Sequence, residues 1–307
     1  MVLASASVSE PVNRYLIALI AVALSFNVAA ADKHAKRAGK PAAVVAEVTK
    51  DGEPNLQSSG VLVLDPTTGQ TLYSKNADHT APIASITKLM SAMIVLDAKL
   101  PLDEVLQISS EDIDMVKGTK SRLPIGAHFR RDDLMRLALM ASDNRAASAL
   151  GRNYPGGLPA FVEAMNAKAK LLGLQQTHYV DSSGLSPGNV SSAQDLGKLV
   201  SEASKYDLIR EYTTTGAVNV QLPNSRRTLH FVNTNQLVRS SDWKIGLSKT
   251  GYINEAGKCL VMQAVIANQP IVIVLLDSWG RLTRVGDANR IRRWLEKNPA
   301  LLTLRQG

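Results

Sequence analysis

The 307-residue sequence contains a single cysteine, Cys259, and few aromatic residues, which make up 5% of the chain. One cysteine cannot form an internal disulfide, and its apolar neighbours Leu260-Val261-Met262 predict a buried position. The five histidines are scattered, without a His-Glu-x-x-His motif or a cysteine pair beside them. We therefore expect neither a metal site nor a cofactor.

Blocks of like charge are also missing, although Lys and Arg outnumber Asp and Glu by 35 to 27, a formal net charge of +8. No run of six basic residues and no basic stripe interleaved with aromatic residues is present. Nucleic acid is therefore not expected as a partner. The basic balance suits either attraction to anionic polymers or simple solubility.

Long hydrophobic runs are scarce, and the clearest one lies near the amino terminus. Arg14 precedes an apolar run from Tyr15 to Phe26, which is short for a membrane span and is followed by Ala29-Ala30-Ala31. This pattern predicts a secretory signal peptide over 1–31 and no integral membrane anchor after its cleavage. Residues 32–59 are rich in Lys, Ala and Pro without a sustained period, which predicts a flexible linker before a folded domain over 60–307.

The folded part begins and ends with strand patterns, and a section typical of helices, about 100–212, separates them. Predicted strands cover 61–65, 71–75, 218–222, 228–232, 260–267 and 271–277, with a hairpin at Asn268-Gln269-Pro270. Predicted helices cover 85–99, 132–140, 158–172, 193–204 and 284–296. This order predicts the α+β class: an antiparallel sheet assembled from both ends of the domain, with helices on its faces and an inserted all-helical section.

A serine and a lysine at the start of the first predicted helix form a candidate nucleophile and base. Ser85 and Lys88 are three residues apart, so on a helix they project from one face, and an apolar run follows them. A lysine amine within hydrogen-bond reach can activate a serine hydroxyl. The same spacing recurs at Ser241 and Lys244, but no apolar helix follows there.

Two further triplets follow in order. Ser142-Asp143-Asn144 comes directly after the predicted helix that ends at Met140, and Lys249-Thr250-Gly251 lies where a strand pattern begins. Ser-x-x-Lys, Ser-Asp-Asn and Lys-Thr-Gly together are the signature of penicillin-binding proteins and class A β-lactamases. Each motif alone is weak, whereas three motifs in order, each in its expected setting, are strongly indicative.

The sequence from about Gly60 to Leu295 resembles the low-molecular-mass penicillin-binding proteins of the D-alanyl-D-alanine carboxypeptidase group, peptidase family S11. The segments that carry the resemblance are 84–90, 141–147, 181–185 and 246–252. The similarity is strongest to the D-alanyl-D-alanine endopeptidase branch, of penicillin-binding protein 7 type. The resemblance implies a β-lactamase/transpeptidase-like fold and a periplasmic serine peptidase. It also implies a peptidoglycan peptide as substrate and β-lactams as acylating inhibitors.

The resemblance and the chemistry together imply a role for each site residue. Ser85 would attack a D-alanyl carbonyl, with Lys88 as a neutral base whose pKa is lowered by burial and by the cation of Lys249. Ser142 would relay a proton to the leaving amine, and Asn144 would position Lys88 and the substrate amide. The substrate-binding strand would use Lys249 and Thr250 for a carboxylate, Gly251 for close approach of the peptide, and the N–H of Tyr252, with that of Ser85, for the oxyanion.

Asp143 is expected to be solvated, and 181–184 to form a turn rather than part of the site. Two alternatives to the endopeptidase stay open, whereas a third, a β-lactamase, is not expected. A β-lactamase requires a glutamate followed four residues later by asparagine, whereas Glu163 and Asn166 have the wrong spacing. A DD-carboxypeptidase that removes terminal D-Ala would use the same residues. A non-catalytic cell-wall-binding protein would keep the fold without the reaction.

Overall fold

The structure is a computed structural model that describes residues 46–222 and 226–303. The expected signal peptide, the first part of the expected linker and the loop at 223–225 lie outside the described residues. Within these two ranges, none of the helices is both long enough and apolar enough to cross a membrane.

A five-stranded antiparallel sheet forms the centre of the described domain, in the order β2-β1-β11-β10-β9. These strands are β1 (Ser58–Leu64), β2 (Thr71–Lys75), β9 (Lys244–Ile253), β10 (Gly257–Ile266) and β11 (Gln269–Ser278). Because β1 pairs with β11, strands from both ends of the domain build one sheet, as the sequence predicts. In this order β9 is an edge strand, and its outer side is available to the site.

Alternating apolar residues give the sheet two buried faces. Val61 and Val63 of β1 belong to one core cluster, whereas Leu62 between them belongs to the other. The first cluster includes residues of α7 (Thr283–Lys297), and the second includes residues of the helical section. The sheet is therefore the middle layer between two helical layers.

Short strands and helices fill the chain between β2 and β9. The short strands are β3 (Ala81–Pro82), β4 (Val105–Gln107), β5 (His128–Arg130), β6 (Val190–Ser191), β7 (Ala217–Gln221) and β8 (Thr228–Val232). The helices are α1 (Lys88–Asp97), α2 (Arg131–Met140), α3 (Asn144–Arg152), α4 (Gly157–Leu171), α5 (Ala193–Ala203) and α6 (Asp207–Thr214), and α8 (Ala300–Thr303) follows α7. Every residue of α1 from Lys88 to Val95 is buried, so this largely apolar helix is enclosed by the rest of the described domain.

The predicted start of the folded domain at Gly60 is too late in the chain. Leu56 is buried in the core beside α7, and the Trp294 indole N–H donates to the Gly52 carbonyl oxygen at 3.0 Å. The buried Asp287 carboxylate accepts from the backbone N–H groups of Gln57 and Ser58 at 3.1 and 2.7 Å. This segment is held by backbone and side-chain hydrogen bonds from a helix more than 200 residues later, so it carries no local periodicity.

Two strand predictions also need correction. The β7 and β8 strands pair only with each other in the described sheets, as a separate two-stranded ribbon rather than as part of the central sheet. The turn between β10 and β11 is Ala267-Asn268, with φ angles of 48° and 62°, so Gln269 and Pro270 already belong to β11. Two residues with positive φ fit the tight hairpin turn that matches strand twist.

Candidate active site

Ser85 lies in a tight turn between the strand β3 and the helix α1. The turn is a 3-10 helix, Ala84–Thr87, rather than the first turn of an α-helix as predicted. The Thr87 hydroxyl closes it by donating to the Ala84 carbonyl oxygen at 2.8 Å, and Ala84 has a φ of +47°. Lys88 is the first residue of α1, so the turn and the helix hold the two side chains together.

The Lys88 amine contacts three oxygen atoms. Its Nζ lies 2.8 Å from Ser85 Oγ, 2.7 Å from Asn144 Oδ1 and 2.6 Å from the Ser183 carbonyl oxygen. Only the serine hydroxyl of these three can also donate a hydrogen bond. A neutral amine has two N–H donors and one lone pair, so the two acceptors take the N–H groups. The lone pair then faces the Ser85 O–H, as a base must.

Burial favours the neutral form of this amine. Lys88 is 1% exposed, and its desolvation lowers its pKa to about 7, against the carboxylates of Asp181, Asp143 and Asp114, which raise it. Burial is also the largest cause that holds the pKa of Lys249 well below its usual value, and the positive charges of Lys88 and Arg284 lower it further. The leading cause for both amines is burial, with charge repulsion second at Lys249.

Ser142, Asp143 and Asn144 connect α2 to α3 and lie at the site, but each has a different function in the fold. Ser142 has a φ of +59°, and its Oγ accepts a hydrogen bond from Lys249 Nζ at 2.8 Å. Asn144 begins α3, accepts from Lys88, and donates to Thr119 Oγ1 at 2.8 Å. Both lysines are thus hydrogen-bonded to the segment that connects α2 to α3, Lys249 to Ser142 and Lys88 to Asn144.

Asp143 is not solvated, contrary to expectation. It is 9% exposed and caps α3 by accepting from the Ala146 N–H at 3.0 Å. Its second oxygen accepts from the Ser121 hydroxyl at 2.8 Å. The helix cap and the hydrogen bond from Ser121 explain an aspartate between two site residues.

The edge strand β9 brings the third motif to the nucleophile. Lys249 is 1% exposed and donates to Ser142 Oγ and to the Thr250 carbonyl oxygen, whereas Tyr252 is 55% exposed at the rim. The Thr250 hydroxyl donates to Thr234 Oγ1 at 2.7 Å. All the site residues predicted from the sequence therefore gather where the 84–87 turn, the α2–α3 connection and β9 meet.

Glycine at position 251 has a structural reason in addition to the predicted approach of the substrate. A Cβ atom there would lie 2.9 Å from the Ile83 carbonyl oxygen and 3.2 Å from the Ser85 nitrogen. The missing side chain lets β9 pack directly against the nucleophile turn. Gly251 thereby sets the distance between Ser85 and the strand.

Two contributors to the site were missed. The loop 181–184, expected to be only a turn, supplies the Ser183 carbonyl oxygen that binds Lys88. The segment 181–185 is one of those that carry the family resemblance, so the sequence did indicate that this loop belongs to the site. Arg284, in α7, donates to the carbonyl oxygens of Gly251 and Cys259 at 3.2 and 3.0 Å and so supports β9 from behind the strand. A helical arginine gives no such signal, because its partners are backbone atoms of other elements.

Comparison with known proteins identifies the family. The profile of the D-alanyl-D-alanine carboxypeptidases, peptidase family S11, matches residues 47–279. The chain belongs to the S11 peptidase family. This S11 peptidase is 46% identical over 283 residues to a D-alanyl-D-alanine endopeptidase of Pseudomonas aeruginosa, covering 92% of this chain and 88% of that protein. It is 45% identical over 254 residues to a D-alanyl-D-alanine endopeptidase of Escherichia coli, covering 83% and 82%.

Solved structures of related proteins share the fold. A DD-transpeptidase of Streptomyces superposes with a TM-score of 0.73 at 30% identity, over 78% of this S11 peptidase and 97% of that chain. Penicillin-binding protein D2 of Listeria monocytogenes, in its ampicillin-bound form, gives a TM-score of 0.67 at 30% identity, over 79% and 99%. The predicted family, the β-lactamase/transpeptidase-like α+β fold and the serine-peptidase class are confirmed.

Proposed function

We propose that this protein is a D-alanyl-D-alanine endopeptidase that hydrolyses D-Ala–diaminopimelate cross-links of peptidoglycan through an acyl-enzyme. The observation that supports the chemistry is the Lys88 amine, whose lone pair can face the Ser85 hydroxyl at 2.8 Å while its two N–H groups are bound elsewhere. The identity of 46% and 45% to two proteins named as endopeptidases supports the substrate class.

Acylation follows from these positions. Ser85 Oγ attacks the D-alanyl carbonyl carbon while its proton passes to Lys88 Nζ, and the carbonyl π electrons move to the oxygen. The backbone N–H groups of Ser85 and Tyr252 stabilise that oxyanion. When the tetrahedral intermediate collapses, the C–N bond breaks, and the leaving amine receives a proton through Ser142. The products of this step are the D-alanyl ester of Ser85 and the released acceptor peptide.

The carboxylate beyond the scissile bond is assigned to Lys249 and Thr250. An arriving carboxylate favours the charged form of Lys249, because an opposite charge raises the pKa of an amine. The positive charge at Lys249 then favours neutral Lys88. Substrate binding and activation of the base are thereby linked through two amines that share the Ser142 and Asn144 connection. A water molecule, deprotonated by Lys88, completes hydrolysis of the ester.

A DD-carboxypeptidase remains the second candidate because the matching family profile carries that description. Carboxypeptidase relatives, such as one from Streptomyces at 32% identity, are less similar than the endopeptidases. Incubation with cross-linked muropeptide dimers and with monomeric pentapeptide separates the two activities. We expect dimers to be cut to monomers; release of terminal D-Ala alone would reject the endopeptidase.

Labelling with fluorescent penicillin tests whether the site is catalytic at all. The wild type should be labelled, Ser85→Ala should not, and Ser241→Ala should be labelled like the wild type. Ser241 is a matched control because it belongs to the second Ser-x-x-Lys and is exposed. An unlabelled wild type would instead support a non-catalytic cell-wall-binding protein.

We also propose that the protein acts in the periplasm after removal of residues 1–31, and that its peptidase domain begins near residue 46. The apolar run at 15–26 supports export, and the contacts of residues 52–58 with α7 support the domain boundary. Amino-terminal sequencing of the mature protein from a periplasmic extract checks both export and the cleavage point.

A further inference from the structure

A short loop, residues 114–119, lies between the lysine base Lys88 and the turn that follows the edge strand β9. The Asp114 carboxylate accepts hydrogen bonds from the backbone N–H groups of Val116, Lys117 and Thr119 at 2.8 to 2.9 Å, so the loop has a defined shape. Thr119 also accepts from Asn144, which binds Lys88. The loop is therefore fixed at the site on one side.

On its other side the loop contacts the turn between β9 and β10. Lys117 Nζ lies 2.5 Å from Glu255 Oε1, and the side chains are 23% and 42% exposed. Glu255 follows Tyr252 by three residues. An ammonium group and a carboxylate from two distant segments thus meet at the rim of the cleft, beside the strand that carries the third motif.

The direction of the proposed substrate leads to this ion pair. The carboxylate of the leaving peptide lies at Lys249 and Thr250, and the scissile carbonyl lies at Tyr252. The acyl-donor peptide must therefore continue past Tyr252 towards Glu255, at about 3.3 Å per extended residue. Glu255 also lines a groove of about 930 Å³, together with Ala256, Ala81 and Pro82 among others.

The ion pair contributes little to the stability of the fold. Exposed pairs of this kind contribute little to stability, so the two charges can exchange partners at low cost. In the donor stem, the residue before the reacting D-alanine is diaminopimelate. The free end of its side chain carries an ammonium and a carboxylate on one carbon, which complement Glu255 and Lys117 respectively.

We propose that Lys117 and Glu255 bind this amino-acid end of the donor diaminopimelate and determine specificity for it. The proposal rests on the endopeptidase function above and assigns the donor side of the same site. Two charge-assisted contacts with the substrate replace the single contact between the two side chains. Lys117 recognises the carboxylate, which a lysine-containing donor stem lacks, and Glu255 recognises the ammonium, which both donors have.

Two synthetic cross-linked peptides test this assignment. They share the acceptor diaminopimelate and differ only in the donor residue, diaminopimelate or lysine. We expect the wild type to prefer the diaminopimelate donor by about tenfold in kcat/KM, the effect of one charge-assisted hydrogen bond. Lys117→Met should remove the preference, whereas Glu255→Gln should slow cleavage of both donors by about tenfold.

Glu202→Gln is the matched control, since Glu202 forms an ion pair with Lys205 at 2.7 Å on the surface of α5 and should leave both rates unchanged. Penicillin lacks the diaminopimelate side chain, so the loss in Glu255→Gln must be larger for the cross-linked peptides than for penicillin acylation. An equal loss would overturn the proposal by showing general damage to the site.

The outcomes also separate this proposal from the proposed function. Equal cleavage of both donors by the wild type, or an unchanged preference in Lys117→Met, would overturn the assignment of the ion pair and leave the endopeptidase intact. Cleavage of neither donor by a protein that penicillin still labels would overturn both.

Discussion

The carbonyl oxygen of Ser183 accepts a hydrogen bond from Lys88 Nζ at 2.6 Å, across 95 residues of sequence. With Asn144 Oδ1 it uses both N–H groups that a neutral lysine has, and so directs the lone pair to Ser85. Two acceptors outside the Ser-x-x-Lys motif therefore set the direction of the lone pair, whereas burial favours the neutral form of the amine.

The pH dependence of acylation should follow Lys88. Burial lowers the pKa of this amine to about 7, and its neutral form is the base, so the rate should rise with pH and level off above this value. At two pH units below the pKa we expect about a hundredfold loss, because each unit reduces the neutral fraction about tenfold. Stopped-flow acylation by a β-lactam between pH 5 and 9 measures the profile. A flat profile, or one that falls with rising pH, would exclude Lys88 as the base.

Hydrolysis of β-lactams should be slow. Glu163 is exposed on α4, and Asn166 is occupied by the backbone N–H and carbonyl of Tyr179 at 2.9 and 2.8 Å, so neither can place a water molecule on the ester. We expect nitrocefin to give a burst on the order of one equivalent per site and then little turnover, with the adduct on Ser85. Intact-mass spectrometry and peptide mapping detect the adduct. Sustained turnover comparable to that of a β-lactamase would contradict this expectation.

Loss of the Asp143 cap should destabilise the domain. Replacement of a capping aspartate by alanine costs about 0.5–2 kcal/mol, and the additional hydrogen bond from Ser121 places Asp143→Ala towards the upper end of that range. Asp143→Asn should retain most of the stability, because asparagine caps helices as well as aspartate does. Urea unfolding measures both, with Asp207→Ala in the exposed first turn of α6 as the control. Equal losses in Asp143→Ala and Asp207→Ala would show that the cap is unimportant.

Gly184 should tolerate no side chain. A Cβ atom there would lie 1.9 Å from the Ala84 carbonyl oxygen, so Gly184→Ala must displace either the nucleophile turn or the 181–184 loop. We expect an unfolding penalty of about 1–3 kcal/mol from overpacking, in addition to the backbone strain. Acylation should also slow by an order of magnitude or more, as a displacement of about 1 Å can do.

Gly173→Ala separates strain from the clash. Gly173 also has a positive φ, +65°, but a Cβ atom there would have no neighbouring atom within 4 Å. This variant therefore carries the backbone strain alone, about 1–2 kcal/mol. Its acylation rate should equal that of the wild type. A normal acylation rate in Gly184→Ala would show that the turn at Ser85 adapts.

The sequence predicted correctly those helices and strands whose bounds depend on residues close by in the chain. The helix α7 and the strands β2 and β8 begin and end within a residue of the predicted bounds, because apolar period and turn residues are both present there. The start of the domain was wrong because residues 52–58 are held by Trp294 and Asp287, partners that no local window contains.

The site residues also divide into those that short sequence motifs indicate and those whose role depends on contacts with distant parts of the chain. The three motifs indicated Ser85, Lys88, Ser142 and Lys249, which the fold brings together. The predicted roles of the motif residues stay predictions. Asp143 was misjudged because capping depends on the backbone of α3, and Arg284 was missed because its acceptors are carbonyl oxygens of two strands. For Gly251 the sequence suggested only the close approach of the substrate, whereas a Cβ atom at this position would also crowd the Ile83 carbonyl oxygen and the Ser85 nitrogen.

The pairing order of the central sheet also sets when the enzyme can become active. The strand with Lys249 is held by β10, β10 by β11, and β11 by β1, near the start of the domain. A chain that emerges amino terminus first carries Ser85 and Lys88 early, yet the strand with Lys249 is not held in place until residue 278 has emerged and joined the first strand. Such long-range pairing forms late in folding. The site is therefore assembled only after most of the domain has been synthesised, because its edge strand depends on pairing with the first strand through two later ones.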